Sequence, residues 1–329
     1  MKTQQPPVST HDNDSELTGD EIKTRRSVAR ETVLPFSTEY PFQSNFLKVD
    51  GGVMHYLDEG PSASEADTSP LLMVHGNPTW SFYYRKLVKE FSGKQRCVVP
   101  DHIGCGLSDK PQDWPYTLEK HISNLERLVL KLDLKNITLC VHDWGGAIGF
   151  GFASRHPDRI KRLVISNTAA FRSLRIPLRI AICKAPGIGS FLVRRFNAFA
   201  AMATKMAVHD KNGLNEIVRR GYLAPYDSYA NRIATWQFVK DIPLHKEHQS
   251  YQTLATVEAS LEKFAALPTC ILWGEQDFCF TPHFRKKWQE HFPEAEVHAI
   301  EDAGHYVLED AGERVVSWLH DFFGRHPVS

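Results

Sequence analysis

Val141-His142-Asp143-Trp144-Gly145-Gly146 is the most informative segment of this sequence, because it joins an apolar run to a small-residue run with no loop between them. Where a strand turns directly into a helix, the two backbones approach closely, and small side chains are needed around the turn. Gly145 meets that requirement. The segment therefore predicts a sharp strand-to-helix turn that presents the Asp143 side chain at its apex.

Short apolar runs and amphipathic segments alternate on both sides of this turn. Residues 118–134 carry apolar side chains at helical spacing, and the run 137–141 has the composition of a buried strand. Such alternation is typical of strand-helix-strand units, whose strands are parallel. Residues 46–49 and 53–57 flank Asp50-Gly51-Gly52 and predict an opening hairpin. The expected fold class is α/β, with a mostly parallel central sheet flanked by helices.

The alternation is interrupted once, which predicts the domain organisation. Residues 169–260 are helical in character, contain several Pro and Gly breakers and show no convincing strand. We therefore expect a helical cap over 169–260, inserted between two pieces of one core, 45–168 and 261–329. Residues 1–44 begin with a polar and charged stretch that lacks the apolar segment of a secretory signal, and we expect a disordered or loosely attached extension there.

Composition excludes several classes of function. The 329 residues contain 39 Lys and Arg against 39 Asp and Glu, so no overall charge favours a nucleic acid. No stretch reaches the roughly 18 to 20 uncharged apolar residues of a transmembrane segment. The six cysteines lack C-x-x-C spacing, which predicts neither a disulfide framework nor a zinc site. A reduced, cytoplasmic location is the expectation.

An aspartate at the apex of the turn indicates a particular chemistry. Serine needs a base to become a nucleophile, whereas the Asp143 carboxylate is already an anion at neutral pH. Such a carboxylate can displace a leaving group from an sp³ carbon and form an alkyl-aspartyl ester. Hydrolysis of that ester needs a base that activates water and an oxyanion hole for the tetrahedral centre. This scheme uses water and a small hydrophobic substrate, and it requires no cofactor and no metal.

Candidates for the base and its partner follow two predicted strands. His305 lies in a loop after the last strand, 296–300, and Asp277 follows the strand 269–273. Loops at the carboxyl ends of parallel strands collect catalytic groups. The chain order Asp143, Asp277, His305 matches the order nucleophile, acid, histidine. Asp302 and Glu309 are alternatives for the acid because they flank His305 in sequence.

Two donors are candidates for stabilising negative charge. The backbone N–H of Trp144 follows the nucleophile, and Asn77 lies in a loop after the strand 71–74. The indole of Trp144 and the side-chain amide of Asn77 are uncharged donors. Such donors suit a weakly hydrated leaving anion such as a halide.

Four motifs resemble, in order, those of haloalkane dehalogenases of the α/β-hydrolase superfamily: His75-Gly76-Asn77-Pro78-Thr79-Trp80, His142-Asp143-Trp144-Gly145-Gly146, Gly274-Glu275-Gln276-Asp277 and Gly304-His305. The resemblance spans roughly 46–323 and implies an α/β-hydrolase fold with an inserted helical cap. It also implies conversion of alkyl halides to alcohol and halide. In that scheme Asp143 is the nucleophile, His305 the base and Asp277 the acid, and Asn77 with Trp144 holds the halide. The position of the acid, combined with Asn77, resembles the third subfamily.

Other functions remain open at this point. Tyr40-Pro41-Phe42-Gln43-Ser44 and 55–60 are similar to β-lactone decarboxylases of bacterial olefin biosynthesis, which share the same five site residues and release an alkene and CO₂ from cis-β-lactones. Epoxide hydrolases share Asp143-Trp144 but need lid tyrosines as acid, for which Tyr222 and Tyr226 are available. A non-catalytic binding scaffold is a further alternative.

The neutral overall charge conceals a basic part of the predicted cap. Residues 169–222 contain ten Lys and Arg against two acidic residues, interleaved with large apolar side chains. A stretch of this kind can rest on a membrane surface or an acidic partner, or cover the pocket as a solvated cap. It also makes a homo-oligomer or a complex through this segment plausible.

Overall fold

Within the part of the chain that the structure describes, eight strands form a single, mostly parallel sheet, as expected. The computed structural model describes residues 16–61, 69–185, 187–210 and 212–328. The spatial order of the strands is β1-β2-β4-β3-β5-β6-β7-β8. Strand β2 runs antiparallel to β1 and β4, and the other neighbours pair in parallel. The strands are β1 (Asn45–Val49), β2 (Gly52–Glu59), β3 (Leu71–Val74), β4 (Cys97–Pro100), β5 (Ile137–Asp143), β6 (Ile160–Thr168), β7 (Thr269–Gly274) and β8 (Glu296–Ile300).

Helices cover the sheet and fill the segment between β6 and β7. Strands β3, β4, β5 and β7 are buried along their whole length, because helices pack on both faces. The α-helices are α1 (Gly19–Val33), α2 (Arg85–Phe91), α3 (Leu118–Lys131), α4 (Trp144–Arg155), α5 (Leu178–Lys184), α6 (Ile188–Ser190), α7 (Ala198–Met206), α8 (Glu216–Leu223), α9 (Ile233–Lys240), α10 (Tyr251–Ser260), α11 (Pro282–His291), α12 (Val307–Asp310) and α13 (Gly312–Arg325).

The segment between β6 and β7 has no strand among its described residues. It contains α5 to α10 and a short π-helix, Phe191–Arg195. Helix α10 packs on α4 of the core, and its Leu254 and Val257 belong to the main hydrophobic cluster. The division into core and cap at 168/169 and 260/261 stays a prediction.

The expectation of a loose extension over 1–44 is wrong for residues 16–44; residues 1–15 lie outside the described part of the chain. Helix α1 begins at a capping box formed by Thr18 and Glu21. Arg25 on this helix donates two hydrogen bonds, 2.8 and 3.1 Å long, to the carboxylate of Asp109. Further along, Phe36 and Tyr40 are buried in a cluster with aromatic residues of the core. These residues therefore belong to the folded domain.

No helix in the described residues is long and apolar enough to cross a membrane. The hydrophobic core instead consists of two clusters of buried side chains. The cluster that contains Phe36 also contains Trp80, Phe82 and Tyr222, so it joins the segment between α1 and β1 to α8. The rings of Phe36 and Phe82 meet edge to face with centroids 5.5 Å apart.

Replacing Phe36 by Ala tests whether residues 16–44 are part of the folded core. The Phe36 side chain is 1% exposed. We expect Phe36→Ala to lower the free energy of unfolding by about 3 kcal/mol, because it removes a buried ring and leaves a cavity. The matched control is Val28→Ala, at an exposed position on α1. We expect this control to change the free energy of unfolding by less than about 0.5 kcal/mol. Urea denaturation measures both, and equal small effects would contradict the assignment.

Candidate active site

The backbone at Asp143 makes the sharp turn that the sequence predicts. Asp143 ends β5 with φ 53° and ψ −126°, and α4 begins at the next residue. Non-glycine residues rarely adopt this conformation, and it is typical of a nucleophile elbow. A Cβ atom at Gly145 would collide with the carbonyl oxygen of Val74, and one at Gly76 would collide with the Asp143 side chain. Glycine is thus required on both sides of the carboxylate.

The Asp143 carboxylate is buried and receives backbone hydrogen bonds. The N–H of Asn77 donates to Oδ1 over 2.6 Å, and the N–H of Trp144 also hydrogen-bonds to this carboxylate. Burial raises the pKa of Asp143 above its ordinary value, against the opposing effects of nearby His305 and these two donors. The two N–H groups expected to form an oxyanion hole therefore converge on the predicted nucleophile.

His305 lies between two carboxylates, as the chain order suggests. Its Nδ1 is 2.7 Å from Oδ2 of Asp277, and its Nε2 is 3.6 Å from Oδ2 of Asp143. Burial pulls the pKa of His305 down, but the charge of Asp277, its hydrogen bond and the charge of Asp143 outweigh that effect. The pKa therefore lies above its ordinary value. The three residues form one continuous array in which the imidazole is oriented by Asp277.

Asn167 supports this array and was not among the predicted site residues. It is buried at the end of β6, and its side-chain amide donates to Asp277 Oδ2 over 2.9 Å. Its side-chain oxygen, Oδ1, accepts a hydrogen bond from the N–H of Gly274 at 2.8 Å. The N–H of Cys279 donates to the other oxygen, Oδ1, of Asp277 at 2.6 Å. The sequence signal was a polar residue at the carboxyl end of a buried strand.

Asn77 and Trp144 both line the cavity beside Asp143. The side-chain amide of Asn77 donates one hydrogen bond, 3.1 Å long, to the carbonyl oxygen of Thr235 on α9. Its Oδ1 has no hydrogen-bond partner among the described residues. The Trp144 ring packs against Phe238 of the same helix, with centroids 5.4 Å apart. Both side chains expected to hold an anion therefore contact α9, and both residues line the cavity beside Asp143.

Neither alternative acid contacts His305. Asp302 is exposed and pairs with Arg314 at 2.8 Å. Glu309 accepts two hydrogen bonds from the buried guanidinium of Arg85 and one from the Tyr222 hydroxyl. Asp277 is thus the carboxylate that contacts the imidazole on the side facing away from Asp143.

The two tyrosines expected for an epoxide hydrolase do not reach the site. The Tyr222 hydroxyl is bonded to Glu309, and the Tyr226 hydroxyl lies 3.4 Å from the carbonyl oxygen of Thr79. Neither side chain lines the cavity. Tyr222 and Tyr226 therefore supply no phenolic acid to the cavity, which removes the support that these two residues gave to that chemistry.

The cavity above Asp143 is about 240 Å³ in volume and mostly apolar. Its polar lining groups near the nucleophile are those of the array already described. Its other walls come from the core, from helices α5, α7, α9 and α10 and from the loop after β7: Ala147, Phe171, Ile176, Ile180, Phe199, Met202, Met206, Val239, Leu254, Phe278, Phe280 and Phe284. A site of this kind binds a small hydrophobic molecule and exposes it to one buried carboxylate.

Comparison with known proteins identifies the family. The sequence pattern of the alpha/beta hydrolase fold matches residues 69–312. The chain belongs to the alpha/beta hydrolase fold family. This result confirms the fold class expected from the strand-to-helix turn and the strand order.

Two relatives and one solved structure illustrate the similarity. The chain is 49% identical over 291 residues to a cis-3-alkyl-4-alkyloxetan-2-one decarboxylase of Shewanella oneidensis, covering 87% of this chain and 89% of that protein. It is 44% identical over 301 residues to the same kind of decarboxylase from Xanthomonas campestris, covering 88% and 98%. The crystal structure of haloalkane dehalogenase DatA from Agrobacterium tumefaciens superposes with a TM-score of 0.75 and 25% identity, covering 86% and 96%. The resemblance to both families is confirmed.

The buried ion pair beside the site gives a prediction about stability. Burial alone would raise the pKa of Glu309, but the charge and hydrogen bonds of Arg85 outweigh it and lower the pKa from 4.5 to about 2. A lowered carboxyl pKa stabilises the folded state above pH 4.5, and this contribution is lost as the pH falls towards 2. We expect Glu309→Gln to lower the free energy of unfolding by about 2 to 3 kcal/mol near neutral pH and by about half as much at roughly pH 3.

Urea denaturation at the two pH values measures this effect. Glu301→Gln is the matched control, because Glu301 is an exposed carboxylate in the same part of the chain. We expect the control to have little effect at either pH. If Glu309→Gln lowered the free energy of unfolding equally at both pH values, the predicted pH dependence would be contradicted.

Proposed function

We propose that this protein is a decarboxylase of cis-3-alkyl-4-alkyloxetan-2-ones, which are β-lactones, and that it releases an alkene and CO₂. The observation that carries the proposal is the 49% identity to the Shewanella oneidensis decarboxylase across 87% of this chain. The similarity to the haloalkane dehalogenase DatA is 25% over a comparable share. The apolar cavity suits a ring that carries two alkyl chains.

In the proposed first step, Asp143 opens the lactone ring. Its Oδ2 attacks C4, the sp³ carbon bonded to the ring oxygen, from the opposite side. The new C–O bond forms as the bond from C4 to the ring oxygen breaks, and that electron pair stays on the oxygen. The product is an alkyl-aspartyl ester with a free carboxylate on the neighbouring carbon, C3. Burial of Asp143 removes water from the nucleophile, and the N–H of Asn77 orients it.

In the proposed second step, the substrate's own carboxylate releases the ester. The bond from C3 to the carboxyl carbon supplies the electron pair of the new double bond. The bond from C4 to Asp143 breaks, and its pair returns to the aspartate as CO₂ leaves. Inversion in the first step followed by anti elimination in the second gives a cis alkene from a cis lactone. The two steps together consume no water and regenerate the Asp143 carboxylate.

His305 has a supporting role in this scheme. Its pKa is raised by Asp277 and Asp143 despite burial, so the imidazolium form persists to higher pH than for an ordinary histidine. A positive charge 3.6 Å from Asp143 Oδ2 stabilises the aspartate between turnovers. It also stabilises the substrate carboxylate that forms beside it. Asp277 and, behind it, Asn167 hold the imidazole in this position.

A second candidate function is haloalkane dehalogenation by the same array. The observation that favours it is the position of His305, whose Nε2 faces the carboxylate that would carry the alkyl group. In this scheme Asp143 displaces halide, Asn77 and Trp144 hold the anion, and neutral His305 activates water against the ester carbonyl. The raised pKa of His305 makes that step less favourable at acidic pH, because the base must be unprotonated.

Direct comparison of two substrates tests the proposal. We expect purified protein to form alkene from a cis-3,4-dialkyl β-lactone faster than it releases bromide from a dibromoalkane. Asp143→Ala should lower alkene formation by at least about a thousandfold, because none of the other described residues that line the cavity carries a carboxylate. The matched control is Asp113→Ala at an exposed position, which should retain activity. Faster bromide release, or an active Asp143→Ala variant, would refute the assignment.

A labelling experiment separates the two chemistries at Asp143 itself. In a single turnover with excess protein in heavy-oxygen water, dehalogenation breaks the acyl C–O bond and places heavy oxygen in the aspartate. Decarboxylation breaks the alkyl C–O bond and leaves the aspartate unlabelled. We expect no label in the peptide that contains Asp143 after turnover of the lactone. Label at that residue, measured by mass spectrometry, would show that the lactone follows the hydrolytic route.

A further inference from the structure

Large apolar side chains cluster on the outer surface of the segment that covers the cavity. Of the twelve large hydrophobic residues exposed in the described part of the chain, six lie between 174 and 202. Leu174 is 81% exposed and Leu178 is 76% exposed. The six are Leu174, Leu178, Ile182, Phe191, Phe196 and Met202, and we call them the cap face. This concentration exceeds the scattered apolar exposure that is normal for a protein surface.

The cap face adjoins the opening of the cavity. Helix α5 turns Ile180 and Cys183 into the cavity, while Leu178 and Ile182, one turn apart, are exposed. Met202 on α7 lines the cavity and is also 47% exposed, so the cavity reaches the surface beside it. The rings of Phe191 and Phe196 meet edge to face 5.4 Å apart. An apolar path therefore leads from the outer surface to the space above the nucleophile.

The segment that carries the cap face also carries exposed positive charge. Arg175, Arg179, Arg195 and Lys205 are exposed, and none forms an ion pair with a described residue. Arg175 and Arg179 stand at the cavity opening. Within 169–222 the sequence holds ten basic residues against two acidic ones. Cations interleaved with exposed Leu, Phe and Met form an amphipathic surface rather than a solvated one.

We propose that the cap face docks on an anionic lipid bilayer. Arginine and lysine would bind the lipid phosphates, while the leucine, phenylalanine and methionine side chains enter the acyl region. A second copy of this chain fits the surface less well, because a symmetric contact would place the same cations against one another. A bilayer complements both the charge and the apolar character of the surface.

The proposed docking also gives the substrate a route to the cavity, and this route is the one part of the proposal that rests on the proposed function. A lactone with two alkyl chains partitions into the acyl region of a bilayer. With the cavity opening held against the bilayer, the substrate reaches Asp143 without crossing water. The alkene product, which has lost its polar ring, returns the same way.

Vesicle sedimentation with the full chain tests the docking in the absence of substrate. We expect binding to vesicles of equal parts phosphatidylglycerol and phosphatidylcholine, and at least about tenfold weaker binding to phosphatidylcholine alone. High salt should weaken the binding to anionic vesicles, because it screens surface charges. Equal binding to the two kinds of vesicle, or binding to neither, would overturn the proposal.

Two double variants examine the two components of the surface. Leu174→Ser with Leu178→Ser removes apolar contacts, and Arg195→Glu with Lys205→Glu reverses charge. None of these four residues lines the cavity. We expect each pair to weaken binding to anionic vesicles about tenfold or more. The matched control is Lys161→Glu with Lys263→Glu, two exposed lysines near the amino ends of β6 and β7, away from the site. Unchanged binding by both cap-face variants would refute the proposal.

Further measurements separate this proposal from its alternatives. Sedimentation velocity shows whether the leucine variant converts an oligomer to a monomer, which would make the cap face an interface between copies and overturn lipid docking. Alkene formation from detergent-dispersed lactone should be unchanged in both cap-face variants. If vesicles bind but no alkene forms, the proposed function fails and docking stands. If alkene forms but vesicles do not bind, docking alone fails.

Discussion

The desolvation of the Asp143 carboxylate is the constraint on which the site depends. A buried anion is costly unless hydrogen bonds and a nearby positive group compensate for lost water. Here the compensation comes from the N–H groups of Asn77 and Trp144 and from His305. Each of these lies at the carboxyl end of a different strand, so the sheet must assemble before the carboxylate is stabilised. The strained backbone at Asp143 is maintained by the same packing.

The loop that carries His305 is fixed to the segment over the cavity as well as to the sheet. The N–H of Tyr306 donates to the carbonyl oxygen of Ala207 at 2.7 Å. The Asp310 carboxylate accepts the N–H of Gly304 at 2.8 Å and that of His209 at 2.9 Å. The backbone on both sides of His305 is therefore tied to the segment that contains Ala207, which forms part of the cavity wall.

Local sequence pattern predicted the sheet and the array of Asp143, Asp277 and His305, because each of these side chains follows an apolar run at a strand end. It failed for residues 16–44, where α1 is polar and is held by a contact with Asp109, 84 residues away from Arg25. A periodic pattern in the local sequence does not reveal a partner that lies so far along the chain. Asn167 was missed for a related reason, since its role depends on Asp277, which follows the adjacent strand β7. The contact of Asn77 with Thr235 could not be predicted either, because it depends on how α9 packs over the sheet.

The array by itself does not choose between lactone decarboxylation and dehalogenation, because both begin with attack of Asp143 on an sp³ carbon. They differ in how the ester is released. A haloalkane leaves an alkyl group with no electron pair to expel the aspartate, so water must break the acyl bond and His305 must act as a base. An opened β-lactone carries a carboxylate next to the ester carbon and releases itself, so His305 serves as a cation. Both roles use the same contact of His305 Nε2 with Asp143 Oδ2. The substrate's own carboxylate therefore determines which bond of the ester breaks.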